Sequence, residues 1–291
     1  MGMFCKGWDK GVIQASVAAL LCVVGGLAQA QITRSFLAPH EYSLPDPKGM
    51  KTWDVFVQYT TLQNTDDVWD NNGHSTSLSS AAKSQTLVGL SKWVHFWTPE
   101  LLGGNIGLAW ETIPVEVSVR SQSGSSSGFG DPVEGPAVWI KPAPNWTLGW
   151  DNFVQIPWGT NGISGHTWNY ITALWWDGQW GKLNYTANLG TTWFGAAPGG
   201  ARAGQTVYSN NRFGYHVTDL LEPYAGIDYQ TQASSSGGLS PAPSNHELAY
   251  AVGIMVYTLP KSSIAFHYSG GISGENTGKS NNLNVRFVWV F

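Results

Sequence analysis

The chain has 291 residues, of which 12% are charged and 13% aromatic, with 35 glycines, 16 tryptophans and a formal net charge of −4. Soluble domains carry about 25% charged residues, so this composition is poor in solvating charge and rich in turn formers and interfacial aromatics. A net negative charge speaks against nucleic acid as a partner.

Residues 1–30 read as a secretory signal peptide. Lys6 and Lys10 precede an apolar run from Val12 to Leu27, and Ala28-Gln29-Ala30 forms a small-x-small cleavage site. The run is short for a membrane anchor, and Ala19-Leu20-Leu21-Cys22 lacks the small residue that precedes a lipidated cysteine. Cys5 and Cys22 both fall inside this segment, so the exported chain has no disulfide framework and no cysteine metal site. Removing Lys6, Lys10 and Asp9 with it takes the net charge from −4 to −5. Beyond Gln31 no stretch approaches the roughly 18 apolar residues of a membrane helix. An exported chain without such a helix can still span a membrane as a closed barrel.

Residues 31–50, with PHEYSLPDPKG, read as an N-terminal periplasmic arm or plug. Alternating segments follow, each with an apolar face assigned outward and a polar face inward. The first sets Trp53, Val55, Val57 and Tyr59 outward and Asp54, Phe56 and Gln58 inward. The second, near residues 86–97, is ambiguous because Lys92 and His95 have opposite parity. The third sets Ile106, Leu108 and Trp110 against Gly107, Ala109 and Glu111, with Pro114 marking a bulge or membrane exit. The fourth spans Val133 to Lys141.

The fifth, NWTLGWDNFVQIPWGT, places Trp146, Leu148, Trp150, Val154, Ile156 and Trp158 on one face and Asp151, Phe153 and Gln155 on the other. The sixth sets Trp168, Tyr170, Leu174 and Trp176 outward and Trp175 inward. In the seventh, Leu183, Tyr185, Ala187, Leu189 and Trp193 oppose Lys182, Asn184 and Asn188. Phe213, Tyr215 and Val217 oppose Arg212, Gly214 and His216 in the eighth. Ala225, Ile227 and Tyr229 oppose Gly226, Asp228 and Gln230 in the ninth. The tenth sets Leu248, Tyr250, Val252, Ile254 and Val256 outward, leaving Met255 and Tyr257 inward. The eleventh sets Ile264, Phe266 and Tyr268 against His267. The last sets Leu283, Val285, Phe287, Trp289 and Phe291 against Asn284 and Arg286.

Twelve such segments predict an all-β fold: a transmembrane antiparallel up-and-down β-barrel over residues 51–291. The connections alternate long and short, as in bacterial outer-membrane barrels. The long ones are expected near Thr61–Ala81, Arg120–Pro132, Gly159–His166, Phe194–Asn210, Ala233–His246 and Gly270–Asn281. Lys182, Arg212 and Arg286 fall on inward parity, and a basic residue facing lipid at the midplane costs roughly 2–4 kcal/mol. At strand rise and a tilt of roughly 40°, Trp146 and Trp158 lie about 30 Å apart in height, so they are expected to mark the two membrane interfaces together with Trp168, Trp176, Trp193 and Trp289. The terminal Phe291 on an aromatic strand is expected to serve as the signal read by the barrel assembly machinery. Outer-membrane lipid and lipopolysaccharide are the expected surroundings.

Ser127-Gly128-Phe129-Gly130-Asp131-Pro132 resembles the Gly-x-Gly-Asp segment of the outer-membrane family called the meta-pathway of phenol degradation proteins. Length, signal peptide, strand number and terminal Phe are also similar to that family. The resemblance implies a porin-like barrel that passes hydrophobic or aromatic compounds, with Gly128, Gly130 and Asp131 at motif positions. From the residues alone, Asp131 reads as part of a turn that starts the fourth strand.

Enzymatic readings have thin support. Gly124-Ser125-Ser126-Ser127-Gly128 matches G-x-S-x-G, but it lies in a Ser/Gly tract without a strand–turn–helix context. The histidines show no metal spacing; His216 and His267 read as lumen hydrogen-bonding groups, and no cofactor is called for. Twelve strands lie between the filled eight-stranded barrel and the wide porins, so a narrow or obstructed channel is expected. Its solute would be small and hydrophobic or aromatic, met by an apolar sector and oriented by polar groups. A closed barrel with adhesive loops is the alternative, weakened by loops poor in aromatic and Arg anchors. A lipid hydrolase ranks third.

Overall fold

The computed structural model describes residues 36–48, 52–99, 103–237, 241–259 and 261–291. The signal-peptide reading lies outside them. Seventeen strands form: β1 (Trp53–Thr65), β2 (Asp67–Trp69), β3 (Ser75–Ser77), β4 (Ser84–Trp97), β5 (Gly107–Ile113), β6 (Val115–Ser121), β7 (Gly124–Phe129), β8 (Val133–Ala143), β9 (Trp146–Gln155), β10 (Asn169–Trp180), β11 (Leu183–Phe194), β12 (Thr206–Tyr215), β13 (Leu221–Gln232), β14 (Asn245–Leu259), β15 (Ser262–Glu275), β16 (Thr277–Gly278) and β17 (Asn281–Val290).

Fourteen of them share one antiparallel sheet, which closes where β1 pairs with both β4 and β17. β5 and β6 pair with successive halves of β4, and β6 and β5 in turn pair with β7 and β8. Each of these two pairs is therefore one wall strand broken once, and the barrel has twelve staves. Closure satisfies the backbone without leaving a sheet edge in lipid. β2, β3 and β16 make a separate three-stranded sheet at the end of the barrel with the longer connections, here called the loop end. The opposite end, where short connections and the C-terminus lie, is the turn end.

The burial rhythm tells which face is which. Along β12, Thr206, Tyr208, Asn210, Arg212 and Gly214 are buried while Val207, Phe213 and Tyr215 are exposed. The inside is thus largely polar there and the outside is oil. The expected parities hold through the third and the fifth to twelfth wall strands, Lys182 apart. Trp150, in the middle of the outer face of β9, satisfies its indole by donating to Thr172 Oγ1 at 2.7 Å. The aromatics group at two levels: Trp146 packs edge-on against Trp180 at the turn end, while Trp193 stacks on Tyr170 near the loop end. Trp158 and Trp168 are well exposed at the loop end, Trp289 is exposed at the turn end, and Trp176 is half-buried against Tyr185. Trp158 lies past the end of β9, where its N–H folds back onto the Ile156 carbonyl at 2.8 Å.

Three expectations need correction. In β1 the buried residues are Val55, Val57, Tyr59 and Thr61, so Asp54, Phe56 and Gln58 face outward. Their polar groups find partners on that outer face: Asp54 meets His95 Nδ1 at 2.8 Å and Gln58 accepts from Ser91 Oγ at 2.7 Å. Phe56 lies beside Trp93. The same pairing settles β4, with Lys92 inward and His95 outward. Second, no long connection separates β6 from β7, because the wall continues into a tight hairpin over Ser121–Gly124. Likewise β15 runs to Glu275, well into the expected Gly270–Asn281 connection, and β16 forms within it. Third, Pro114 breaks a strand without ending it. Its carbonyl accepts from Ser91 N–H at 3.1 Å, and the inward parity of Glu111 carries on through Ile113, Val115, Val117 and Val119.

Candidate functional site

The arm occupies the lumen. Phe36 packs on Tyr59 with ring centroids 5.1 Å apart, and Leu37 and Ala38 are buried. Proline-rich backbone has few internal hydrogen bonds, so the wall supplies them. Arg212 Nε donates to the Leu37 carbonyl at 2.8 Å, Arg286 Nη2 to Pro39 at 3.2 Å, Lys141 Nζ to Leu44 at 2.8 Å and Trp139 Nε1 to Pro45 at 3.2 Å. Side chains add a second set. Glu41 accepts from Arg286 and the Tyr59 hydroxyl. Tyr42 stacks on Trp175 at 4.6 Å and 14°, and its hydroxyl accepts from Asn188 at 3.0 Å.

Two cavities flank the arm, one of about 360 Å³ towards the loop end and one of about 380 Å³ towards the turn end. Glu41, Tyr42, Lys92, Glu111 and Asp151 line both, so this set is the partition between them. Lys92 Nζ meets Glu111 at 2.7 Å, and Asp151 accepts from Trp175 Nε1 at 2.6 Å. Beyond the partition the loop-end cavity is walled by Ile113, Val115, Val117, Val119, Val133, Phe153 and Ile171. Barrel interiors are usually polar, and this sector is the reverse: apolar side chains face in, while Glu116 and Arg120 of the same strand are exposed. Ligand pockets run about 300–1,000 Å³ with mostly apolar walls, and this cavity fits that description.

Most of the expected lumen residues face this interior. Glu111, Asp151, Phe153, Gln155, Trp175, Asn184, Asn188, Arg212, Asp228, His267 and Arg286 are buried inside, and Tyr257 and His216 are partly buried at the turn end. Not all of them border open space. Arg212 and Asp228 form a fully buried bidentate pair at 2.6 and 3.0 Å, His267 bonds Tyr224 at 3.0 Å, and Gln155 accepts from Asn169 at 2.7 Å. Lys182 is exposed in the turn before β11 rather than lumenal. The arm residues His40, Glu41 and Tyr42 and the valines of β6 were missed. The valines were legible as a continuation of Glu111's parity past Pro114; the arm's destination was not, because no periodicity encodes it.

The Gly-x-Gly-Asp segment sits where β7 gives way to β8. Asp131 is fully buried. Its Oδ1 accepts from Gly159 N–H at 2.9 Å and Ser164 Oγ at 2.6 Å, and its Oδ2 from Gly165 N–H at 3.0 Å. Phe129 N–H donates to Thr160 Oγ1 at 3.0 Å, and the Phe129 carbonyl accepts from Thr160 N–H at 2.7 Å. A Cβ at Gly128 would lie 2.6 Å from Thr160 Oγ1, and one at Gly130 would lie 2.8 Å from Val115 Cγ1. The motif thus pins the 156–168 connection against the rim of β7, whose one strand partner among the described residues is β6.

Residues 65–287 match the family model described as the putative MetA-pathway of phenol degradation. The chain belongs to this family. Among solved structures it is similar to an outer membrane channel from Pseudomonas putida F1, at 16% identity and TM-score 0.75, covering 88% of this chain and 100% of that one. It is also similar to the beta domain of the Bordetella autotransporter BrkA, at 8% identity and TM-score 0.51, covering 83% of this chain and 100% of that one. At these identities the likeness establishes the outer-membrane barrel fold. No curated protein matches the sequence.

Proposed function

We propose that this member of the phenol-degradation family is an outer-membrane channel that admits small hydrophobic or aromatic compounds by passive diffusion. The observation that carries this reading is the apolar room of about 360 Å³ on the loop side of the arm, lined by inward-facing Ile113, Val115, Val117 and Val119. Placing apolar side chains inside and Glu116 and Arg120 outside reverses the economical arrangement for a membrane wall, and a hydrophobic solute gives that reversal a use. The Pseudomonas putida channel of the same fold supports the reading. Burying a solute there rests on apolar contact, with Lys92, Glu111 and Asp151 as the polar floor that orients it. Onward passage needs the arm to shift, since Glu41 and Tyr42 separate the two cavities. This reading is of a non-enzymatic barrel set in outer-membrane lipid and lipopolysaccharide. The exposed Phe291 at the end of the last wall strand is suited to recognition by the assembly machinery.

Uptake of a labelled aromatic hydrocarbon into proteoliposomes tests it. Uptake by the wild-type barrel and its loss in Val117→Lys are expected; equal uptake by empty and loaded vesicles would refute a channel. The arm's many bonds to the wall favour a second reading, a permanently closed structural barrel. Binding of the solute without uptake would select it.

A further inference from the structure

Three metal-ligating side chains converge at the turn end of the lumen: His40 of the arm, His216 after β12 and Glu222 of β13. Glu222 Oε2 lies 3.0 Å from His40 Nε2 and 3.2 Å from His216 Nε2, and the three ligand atoms all fall within 4.8 Å of one another. Tetrahedral zinc with bonds of about 2.0–2.2 Å sets neighbouring ligand atoms about 3.3 Å apart. The two distances from Glu222 are close to those of a coordination shell.

Other features bear on the same point. Glu222 is fully buried, its Oε2 receives His40, His216 and the Tyr257 hydroxyl, and its Oε1 has no hydrogen-bond partner among the described residues. An ionised carboxylate in that setting is costly unless compensated by opposite charge. His40 has a left-handed backbone (φ 58°), uncommon outside glycine. Its N–H is held by Thr186 Oγ1 at 2.9 Å, and its Nδ1 lies 3.3 Å from the Asn184 amide, which itself contacts Asp177 at 3.1 Å. These contacts hold the ring in place with Nε2 aimed at Glu222 Oε2. His40 and His216 both line the turn-end cavity, so a hydrated ion can reach them and water can fill the remaining position.

We propose that His40, His216 and Glu222 form a binding site for a divalent transition metal of the zinc class, which fastens the arm to the barrel wall. Two imidazoles and one carboxylate suit zinc, cobalt or nickel and not calcium or magnesium. Because one ligand lies on the arm and two on the wall, bound metal is a staple across the plug.

The test uses the full exported chain in detergent, stripped with chelator and titrated with Zn²⁺ by calorimetry and with Co²⁺ by visible absorption. One saturable equivalent with a tetrahedral or five-coordinate Co²⁺ spectrum is expected. His216→Ala and His40→Asn should each weaken binding by more than the roughly 10–100-fold that loss of an outer-shell partner costs. Asn tolerates a left-handed backbone, so His40→Asn keeps the arm's turn, and heat-modifiability on gels verifies that both barrels fold. His246→Ala, at the exposed loop-end pair with Glu275, should leave affinity unchanged. Absence of a saturable equivalent, or unchanged affinity in both lumen variants, would overturn the site. A spin label at Ser43 reads the staple: zinc should immobilise it in wild type and not in His216→Ala, and equal mobility with and without zinc would overturn the fastening. Both readouts are independent of whether the lumen conducts.

Discussion

The two halves of the lumen are built on opposite principles. The turn-end half is threaded by the arm, which Arg212, Arg286, Lys141 and Trp139 hold by hydrogen bonds to its backbone, beside a cavity of about 380 Å³. The loop-end half is apolar and open, with Ile113, Val115, Val117 and Val119 on its wall and Phe36, Leu37, Glu41 and Tyr42 of the arm at its floor. Buried polar groups demand specific partners, so these wall donors select one occupant with matching acceptors, here the chain's own arm. Apolar walls ask only for shape and size, so they suit a range of small hydrophobic solutes. One barrel thus carries a bonded arm and an open apolar room along its axis.

This contrast can be broken from either side. The largest effect is expected from Arg286→Met, which leaves Glu41 buried without its cation. Breaking a buried pair this way costs about 3–5 kcal/mol, so the arm should leave the lumen; protease sensitivity of residues 36–48 and a rise in single-channel conductance would show it. Asp131→Ala comes next. It removes the acceptor of three hydrogen bonds at the rim, and charged hydrogen bonds are worth about 1.5–3 kcal/mol each before non-additivity. Proteolysis within 156–168 should accelerate while the barrel stays folded.

Val117→Lys should weaken binding of an apolar fluorophore at least tenfold, about 1.4 kcal/mol, without freeing the arm. If this substitution freed the arm, the two halves would not be separate units. Asp54→Ala should change neither solute binding nor conductance, since Asp54 faces outward against His95. The smallest effect concerns pH. Backbone N–H bonds from His74 and Asn72, in that order, hold the Asp70 carboxyl below the ordinary carboxylate range in the loop-end sheet. Its folded value is depressed, so its contribution is fully present above the ordinary carboxylate range and fades as pH falls through the lower folded value. Amide exchange in Asn72 and His74 should rise in acid relative to an Asp70→Asn variant.

Legibility in the sequence followed the chemistry of the wall. Where the interior is polar, as at Arg212, Asp228, Asn184 and Arg286, alternation reported the inward face directly, because a charge in lipid is expensive. At β1 the same rule failed. Asp54 and Gln58 looked lumenal only because a polar lumen was assumed; their partners His95 and Ser91 lie on the outer face of the neighbouring strand, and Val55, Val57 and Tyr59 are needed inside to pack the arm. A parity rule has no means of seeing a cross-strand partner thirty or forty positions away.

By itself, then, the chain's alternation and aromatic spacing determined a closed twelve-stave barrel, since period-two patterning and the need to satisfy every backbone group in lipid admit little else. Tertiary structure alone decided that the arm folds into the lumen, that Asp131 pins the 156–168 connection, and that His40 meets His216 and Glu222. Those contacts join segments far apart in sequence, and no local periodicity carries the distance between them.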